Sequence, residues 1–467
     1  MLFPSEVFLF VFLPVVLLLY FGIFRRWNMA KNIFLLISSL IFYAYGEPVY
    51  VMLMIVVIFM HYFFGILVEM FRQDRGKACV VLAVMVLFDV GILGYFKYAG
   101  FLVENINALT GAKIPVPEIA LPIGISFFTF QAISYVADVY QGKGEVQTNF
   151  LNVGLYITFF PQLIAGPIVR YETVAKQIKH RKETWDKFSK GTTRFIIGLG
   201  KKVLLANQFA IVADAAFDEN IAGNSLLFLW LGAISYTMQI FFDFAGYSDM
   251  AIGLGKMFGF NFEENFNYPY IASSVTEFWR RWHISLQRWF RDYIYIPLGG
   301  SRVRTKWRLV FNLFVVWALT GIWHGANWTF IVWGMMYFVL LTIEKLTGFH
   351  EKLGWFGHIY TLFFVILGWV VFRSGNMTEA VSYIKAMFGF GCNGLWDAGA
   401  IQYMKQYAIY YIWGLLCCFP YIRKMNRIYD KKIVWGAVYT VATVGILIFS
   451  ILFIFSNAYN PFIYFNF

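Results

Sequence analysis

The sequence predicts an all-α, polytopic membrane protein, and three observations predict it. Of 467 residues, 60% are hydrophobic and only 14% are charged, against about 25% charged in ordinary soluble domains. The mean hydropathy is +0.63, more apolar surface than a globule in water can hide. Apolar runs near the length of a bilayer span recur along the chain, as helices crossing a core of about 30 Å require. The lysines and arginines fall in short loops between these runs, so the net charge of +12 is a topology signal first. It marks an anionic-ligand surface second, and no nucleic-acid partner is expected.

The apolar runs cover about 7–24, 32–45, 48–69, 78–96, 150–166, 192–213, 225–245, 309–322, 327–346, 357–373, 407–420 and 434–457, with a further run at 121–140 broken by Pro122 and Gly124. Basic loops are cytoplasmic by the positive-inside rule: 25–31, 70–77, 167–190, 280–308 and 421–432. The acidic turn Asp214, Asp218 and Glu219 then lies outside, as do both termini. Glu6 in place of a basic leader argues against a cleaved signal peptide. Parity fails only between 97 and 167, where one of two apolar runs must not cross. The early Pro and Gly of 121–140 suit a re-entrant segment sheltered by protein, which leaves twelve crossings.

Residues 246–308 interleave aromatic and charged side chains with no stretch long enough to span. They read as short amphipathic helices at the interface, with Trp279, Trp282 and Trp289 in an aromatic belt. The chain reads as one domain, 1–467: N-terminal helices 1–245, the interfacial region 246–308, C-terminal helices 309–457 and an aromatic tail 458–467. Cys79, Cys392, Cys417 and Cys418 show no zinc-type spacing, and no metal site is expected.

Two histidines stand out as candidate chemistry. His324 sits in Trp323-His324-Gly325-Ala326-Asn327-Trp328, a polar break between apolar runs. The run before it, 309–322, is about 21 Å long as a helix, short of the hydrocarbon core. His324 therefore lies partway through the membrane, where an ionisable side chain is costly and points to function; the plain alternative is a turn histidine bonded to a carbonyl. His283 follows Arg280 and Arg281, and Arg281, Arg288 and Arg291 fall on one helical face by spacing. Such a face holds phosphates, or is an ordinary cytoplasmic positive cluster. Asp243 and Asp249 flank the end of an apolar segment as gating or packing residues. His61, mid-run, reads as a buried, satisfied histidine. Gly253, Gly255 and Gly259 do not match a dinucleotide fingerprint.

Trp-His-Gly-Ala-Asn-Trp at 323–328, Phe-Trp-Arg-Arg-Trp-His-Ile-Ser-Leu at 278–286, Phe-Asp-Phe-Ala-Gly-Tyr-Ser-Asp at 242–249 and the opening Met-Leu-Phe-Pro-Ser together resemble the membrane-bound O-acyltransferase (MBOAT) family. The likeness extends over essentially the whole chain and is nearest the bacterial alginate and peptidoglycan O-acetyltransferase branch. The resemblance implies a ring of about 11–12 transmembrane helices around a central funnel or tunnel. It implies catalytic roles for His324 and His283. Asp243, Asn327 and Trp323 stand beside these as candidate tunnel or supporting residues, and the spacing of Arg281, Arg288 and Arg291 makes them donor-binding candidates.

The tail Phe-Ile-Tyr-Phe-Asn-Phe at 462–467 looks like the aromatic motif that, in D-alanylating relatives, ends a small partner protein. The resemblance thereby implies Tyr464 as an acyl carrier, where composition alone implies an interface anchor. The expected activity is acyl transfer, acetyl from acetyl-CoA, across a bacterial cell membrane for O-acetylation of an extracytoplasmic polysaccharide. No bound cofactor is expected, and the expected partner is an extracytoplasmic SGNH-type acetyltransferase. Teichoic-acid D-alanyl transfer is the alternative within the family. A transporter or flippase of an anionic substrate is the alternative outside it, although the paired halves expected of a transporter are not evident.

Overall fold

A computed structural model describes residues 1–218, 221–429 and 432–456, and every regular element among them is helical. The protein is an all-α polytopic membrane protein. Contacts divide the chain into two compact units, residues 1–195 with 250–263, and residues 196–249 with 264–467.

The first unit opens with α1 (Leu13–Gly22), α2 (Asn28–Ala44), α3 (Tyr50–Met70) and α4 (Arg75–Leu93). Asp74 caps α4 by accepting from the Lys77 backbone N–H at 3.2 Å, which satisfies one of the orphan donors at a helix start. A π-helical turn at Gly94–Tyr98 carries α4 into α5 (Ala99–Thr110). Then come α6 (Ile125–Gln141), α7 (Phe150–Thr158), α8 (Phe160–Leu163), α9 (Tyr171–Lys179) and α10 (Trp185–Gly200), whose last residues, from Ile196, belong to the second unit. Aromatic side chains fill the core of this unit: Phe12 meets Phe160 edge-on at 5.4 Å, and Phe8 meets Phe42 at 5.9 Å. His61 is fully buried and satisfied, with Nδ1 2.8 Å from Val57 O and Nε2 3.1 Å from Asp89 Oδ2.

The two apolar runs between 97 and 167 fold differently from expectation. Pro122 and Gly124 precede α6 rather than break it, and α6 is one 17-residue helix with most of its side chains buried in protein. The interruption falls instead at Phe159, whose ψ of 111° separates the nine-residue α7 from the four-residue α8. Pro161 stands at the start of α8, the position where a missing N–H costs a helix nothing.

The second unit contains α11 (Asn207–Asp218), α12 (Leu226–Met257), α13 (Val275–Arg281), α14 (Ile284–Phe290), α15 (Lys306–His324), α16 (Trp328–Thr347), α17 (Phe356–Arg373), α18 (Met377–Met387), α19 (Ala398–Cys417), α20 (Tyr421–Tyr429) and α21 (Ile433–Ser456). The last turns of α12, from Met250, belong to the first unit. There the glycines of 253–259 acquire a packing role: a Cβ on Gly253 would lie 2.6 Å from the Gly191 carbonyl of α10. Small residues let helix backbones approach this closely.

Two expectations for 246–308 change. Residues 246–257 are not interfacial, because α12 runs unbroken through them for 32 residues in all. The short helices begin only afterwards, at 269–271, 275–281, 284–290 and 291–295. Trp279, Trp282 and Trp289 form no belt, since each is buried. Trp279 packs on Trp317 at 4.8 Å, and Trp282 packs on Trp369 at 4.8 Å.

Among the described residues, seven helices are long and apolar enough to cross a membrane, and Phe8–Gly22 and Asn28–Ala44 are shorter apolar helices. The twelve crossings read from the sequence rest on apolar runs, and run and helix do not always coincide. Run 150–166 is broken at Phe159, whereas run 309–322 is extended at both ends into the 19-residue α15.

Candidate functional site

The described site candidates fall within the second unit, where several helices and one extended segment meet. The extended segment lies beside the α13–α14 junction: Asn267 N–H donates to Arg281 O at 2.9 Å, and Ile284 N–H donates to Asn265 O at 2.9 Å. Between these two bonds the chain turns at His283, whose φ of 45° is left-handed. That region is uncommon for a residue with a Cβ. Trp282 therefore ends one helix and His283 caps the next, and Arg281 stands on α13 while Arg288 stands on α14. The single helical face expected to carry Arg281, Arg288 and Arg291 does not form, because the left-handed turn resets the phase.

Those arginines are also committed locally. Arg281 Nε and Nη2 donate to Glu277 Oε1 at 2.9 and 2.7 Å. Arg291 Nε donates to Asp292 Oδ1 at 2.7 Å.

His283 is buried, and its ring is held from two sides. Phe244 of α12 meets it edge-on at 4.6 Å. Its Nδ1 lies 3.1 Å from Asn265 Oδ1. That oxygen also accepts from the Ser285 backbone N–H at 3.2 Å and from Ser285 Oγ at 2.9 Å, while Asn265 Nδ2 donates to Ser248 Oγ at 3.0 Å. A backbone N–H can only donate, so the Asn265 atom facing it is the oxygen, and His283 Nδ1 carries a proton. His283 Nε2 is then the lone-pair nitrogen, and it is buried without a hydrogen-bond partner among the described residues. Burial pushes the imidazolium pKa down to about 3, because a low-dielectric site disfavours the charged form.

His324 is the last residue of α15 and is buried. At 1.5 Å per residue α15 is about 28 Å long, so the short-run argument for its depth gives way to burial. Three rings enclose it: Trp323 at 4.9 Å, Trp333 at 4.9 Å and Phe372 at 5.1 Å, all edge-on. The enclosure depends on a tight crossing of α15 and α16. A Cβ on Gly321 would lie 2.6 Å from Phe330 O, and one on Gly334 would lie 2.6 Å from Trp317 O. Trp323 also faces His283, with ring centroids 6.2 Å apart. The two histidines thus share one tryptophan.

The supporting candidates are placed as follows. Asn327 caps α16, accepting from Thr329 N–H at 3.0 Å and donating to Gly375 O at 2.7 Å. Asp243, one residue before Phe244, is buried in an ion pair with Lys202 Nζ at 2.7 Å. Lys202 lies in a π-helical turn, Lys201–Ala206, and its neighbour Lys201 pairs with Asp249 Oδ2 at 2.6 Å. Tyr464 and the tail 458–467 lie outside the described residues. Among the described residues no group of three His, Cys, Asp or Glu side chains is arranged to hold a metal ion.

Asn265, Ser285, Phe244, Trp333 and Phe372 complete this site and were not singled out in the sequence. Asn265 lies in an irregular segment without periodicity, and the rings are hard to tell from core aromatics in a chain that is 21% aromatic.

The pattern of the MBOAT, membrane-bound O-acyltransferase family, matches residues 39–379. The chain belongs to the membrane-bound O-acyltransferase family. It is similar to the "Probable alginate O-acetylase" of Pseudomonas syringae, 46% identical over 84% of this chain and 76% of that one. It is 40% identical to the protein of the same name from Pseudomonas putida over the whole of both chains. It is 32% identical to the "Peptidoglycan O-acetyltransferase" of Helicobacter pylori, over 100% of this chain and 98% of that one. The "Teichoic acid D-alanyltransferase" of Bacillus subtilis is a more distant relative, 30% identical over 59% of this chain. This MBOAT protein is a multi-pass membrane O-acyltransferase.

Proposed function

We propose that this O-acyltransferase takes an acetyl group from a cytoplasmic thioester, acetyl-CoA, and passes it across a bacterial cell membrane for O-acetylation of an extracytoplasmic polysaccharide. The observation that carries the reading is the pairing of His283 and His324 about Trp323 in a buried, largely aromatic site, with His283 Nε2 left without a partner among the described residues. The relatives named as O-acetylases match more of the chain than those named as D-alanyltransferases, which favours acetyl over D-alanyl.

In this reading the acceptor hydroxyl is that of Tyr464. Its ordinary pKa of about 10 makes it a weak nucleophile at neutral pH without a base. His324 removes the hydroxyl proton, and the phenolic oxygen attacks the thioester carbonyl. The C–S bond breaks, and the thiolate leaves and takes up a proton. His283, neutral and presenting a lone pair, assists proton movement at the same centre. The phenol ester keeps the acetyl group transferable, and an extracytoplasmic SGNH-type transferase carries it to the glycan. Both termini then face outward. With Arg281 and Arg291 already bonded to carboxylates, the reading rests on the histidines rather than on the arginine cluster.

The test is intact-mass measurement of the purified chain with acetyl-CoA. A single acetyl adduct is expected, absent in His324→Ala and in Tyr464→Phe. An adduct that persists in Tyr464→Phe refutes the carrier, and transfer that persists in His324→Ala refutes the base.

A further inference from the structure

The first unit carries a cationic pocket that the acyl-transfer chemistry does not use. It has a volume of about 460 Å³ and is lined by His180, Arg181, Lys182 and Lys187 together with Asn28 and Asn261; among the described residues no carboxylate lines it. That volume lies within the range of small-ligand sites.

The cations outnumber the carboxylates beside them. Arg181 is buried and fixed: Nε donates to Tyr20 OH at 3.1 Å, Nη1 donates to Asn32 Oδ1 at 2.6 Å, and the guanidinium lies 4.7 Å over the Phe260 ring. Its Nη2 is buried with no hydrogen-bond partner among the described residues. The one carboxylate behind it, Glu183, is taken by Lys31 at 3.0 Å and by Tyr20 OH at 2.6 Å, and stands 3.6 Å from Arg181 Nε. Two cations therefore share one anion. Lys187 Nζ donates to a neutral carbonyl, Gly259 O, at 3.2 Å. Lys182 is exposed and has no carboxylate partner among the described residues. A site rich in N–H donors and short of negative charge suits a phosphate, whose oxygens take paired guanidinium and ammonium hydrogen bonds.

The surroundings favour a lipid as the bearer of that phosphate. Trp27, next to Asn28, is 74% exposed, and Trp185, between Lys182 and Lys187, is 85% exposed. Indoles left outside a protein's core are stable at the boundary between headgroups and acyl chains. Arg25 and Arg26, exposed in the turn before Trp27, add to a basic edge of the kind that anionic headgroups bind.

We propose that this pocket is a binding site for the phosphate headgroup of an anionic phospholipid of the cytoplasmic leaflet. The full chain is reconstituted in vesicles of phosphatidylcholine alone or mixed with phosphatidylglycerol, extracted, and examined by native mass spectrometry for retained lipid. Wild type is expected to retain phosphatidylglycerol. Lys182→Gln, at an exposed position, and Lys187→Gln, at a half-buried one, both leave the bonds of Arg181 intact and are each expected to lower that retention about fivefold. Lys190→Gln, which removes an exposed lysine paired with Asp186, is expected to leave it unchanged. Equal retention in all four proteins overturns the proposal. So does binding of adenosine diphosphate or inorganic phosphate that is lost in Lys182→Gln while phosphatidylglycerol retention is not, because the site is then one for a soluble anion.

Discussion

Asn265 fixes which nitrogen of His283 holds the proton. Its Oδ1 faces the Ser285 N–H at 3.2 Å and His283 Nδ1 at 3.1 Å, so the imidazole donates from Nδ1 and offers Nε2. In Asn265→Ala the tautomer is free and Ser285 loses an acceptor. The expected result is a fall in kcat of about 10²-fold, the lower end of what a positioned acid–base group contributes, with KM for the acyl donor unchanged. In Asn265→Asp a carboxylate replaces the amide and raises the His283 pKa. Activity there is expected to recover at alkaline pH and to show an acid limb absent from wild type. Equal kcat in wild type and Asn265→Ala would show that the tautomer does not matter to turnover.

The same burial makes a prediction about acid stability. The pKa of His283 is about 3 in the folded protein against about 6.5 in an unfolded chain. Between these values the unfolded chain binds a proton that the native state does not, so stability falls as pH drops below 6.5. At pH 5 the loss is about 2 kcal/mol relative to neutral pH. His283→Gln lacks this contribution, so its thermal midpoint is expected to fall less between pH 7 and pH 5. Parallel midpoints across that range would mean that His283 titrates normally in the fold.

Much of this site was legible, and the limits of the reading have physical causes. His324 and His283 are polar residues at breaks in apolar runs, and a linear pattern shows such breaks. The left-handed turn at His283 was not legible, because any residue can be counted into a helical phase until a tertiary contact interrupts it. The spacing argument for Arg281, Arg288 and Arg291 failed for that reason. Trp279 and Trp282 were assigned to the bilayer boundary because interfacial and core tryptophans have the same composition, and only the partners Trp317 and Trp369 separate them. Pro122 and Gly124 were correctly read as helix punctuation but on the wrong side of it, since a helix start and a helix break use the same residues.

Lys202 and Asp243 form a buried pair at 2.7 Å, so removing one partner strands a charge. Asp243→Ala is expected to cost about 3–5 kcal/mol and to lower the yield of folded protein. The double variant Lys202→Met with Asp243→Leu is expected to recover most of that stability. A gating or catalytic Asp243 predicts a different pattern: stability recovered in the double variant, transfer not. Measuring both midpoint and acetyl transfer in the two variants separates support from chemistry.

The placement of His324 depends on how closely α15 and α16 cross. A Cβ on Gly321 would meet the backbone oxygen of Phe330 at 2.6 Å, and a backbone atom cannot rotate away. Gly321→Ala must therefore push the helices apart, at about 1–3 kcal/mol, and loosen the rings around His324 one turn away. Gly436, in α21, has nothing within 4 Å of an added Cβ. Gly436→Ala is therefore expected to be neutral or stabilising by up to about 1 kcal/mol. Acetyl transfer measured well below the melting point of each variant should fall at least tenfold in Gly321→Ala and stay at the wild-type rate in Gly436→Ala. Full activity in a destabilised Gly321→Ala would show that the crossing supports the fold without setting the position of His324.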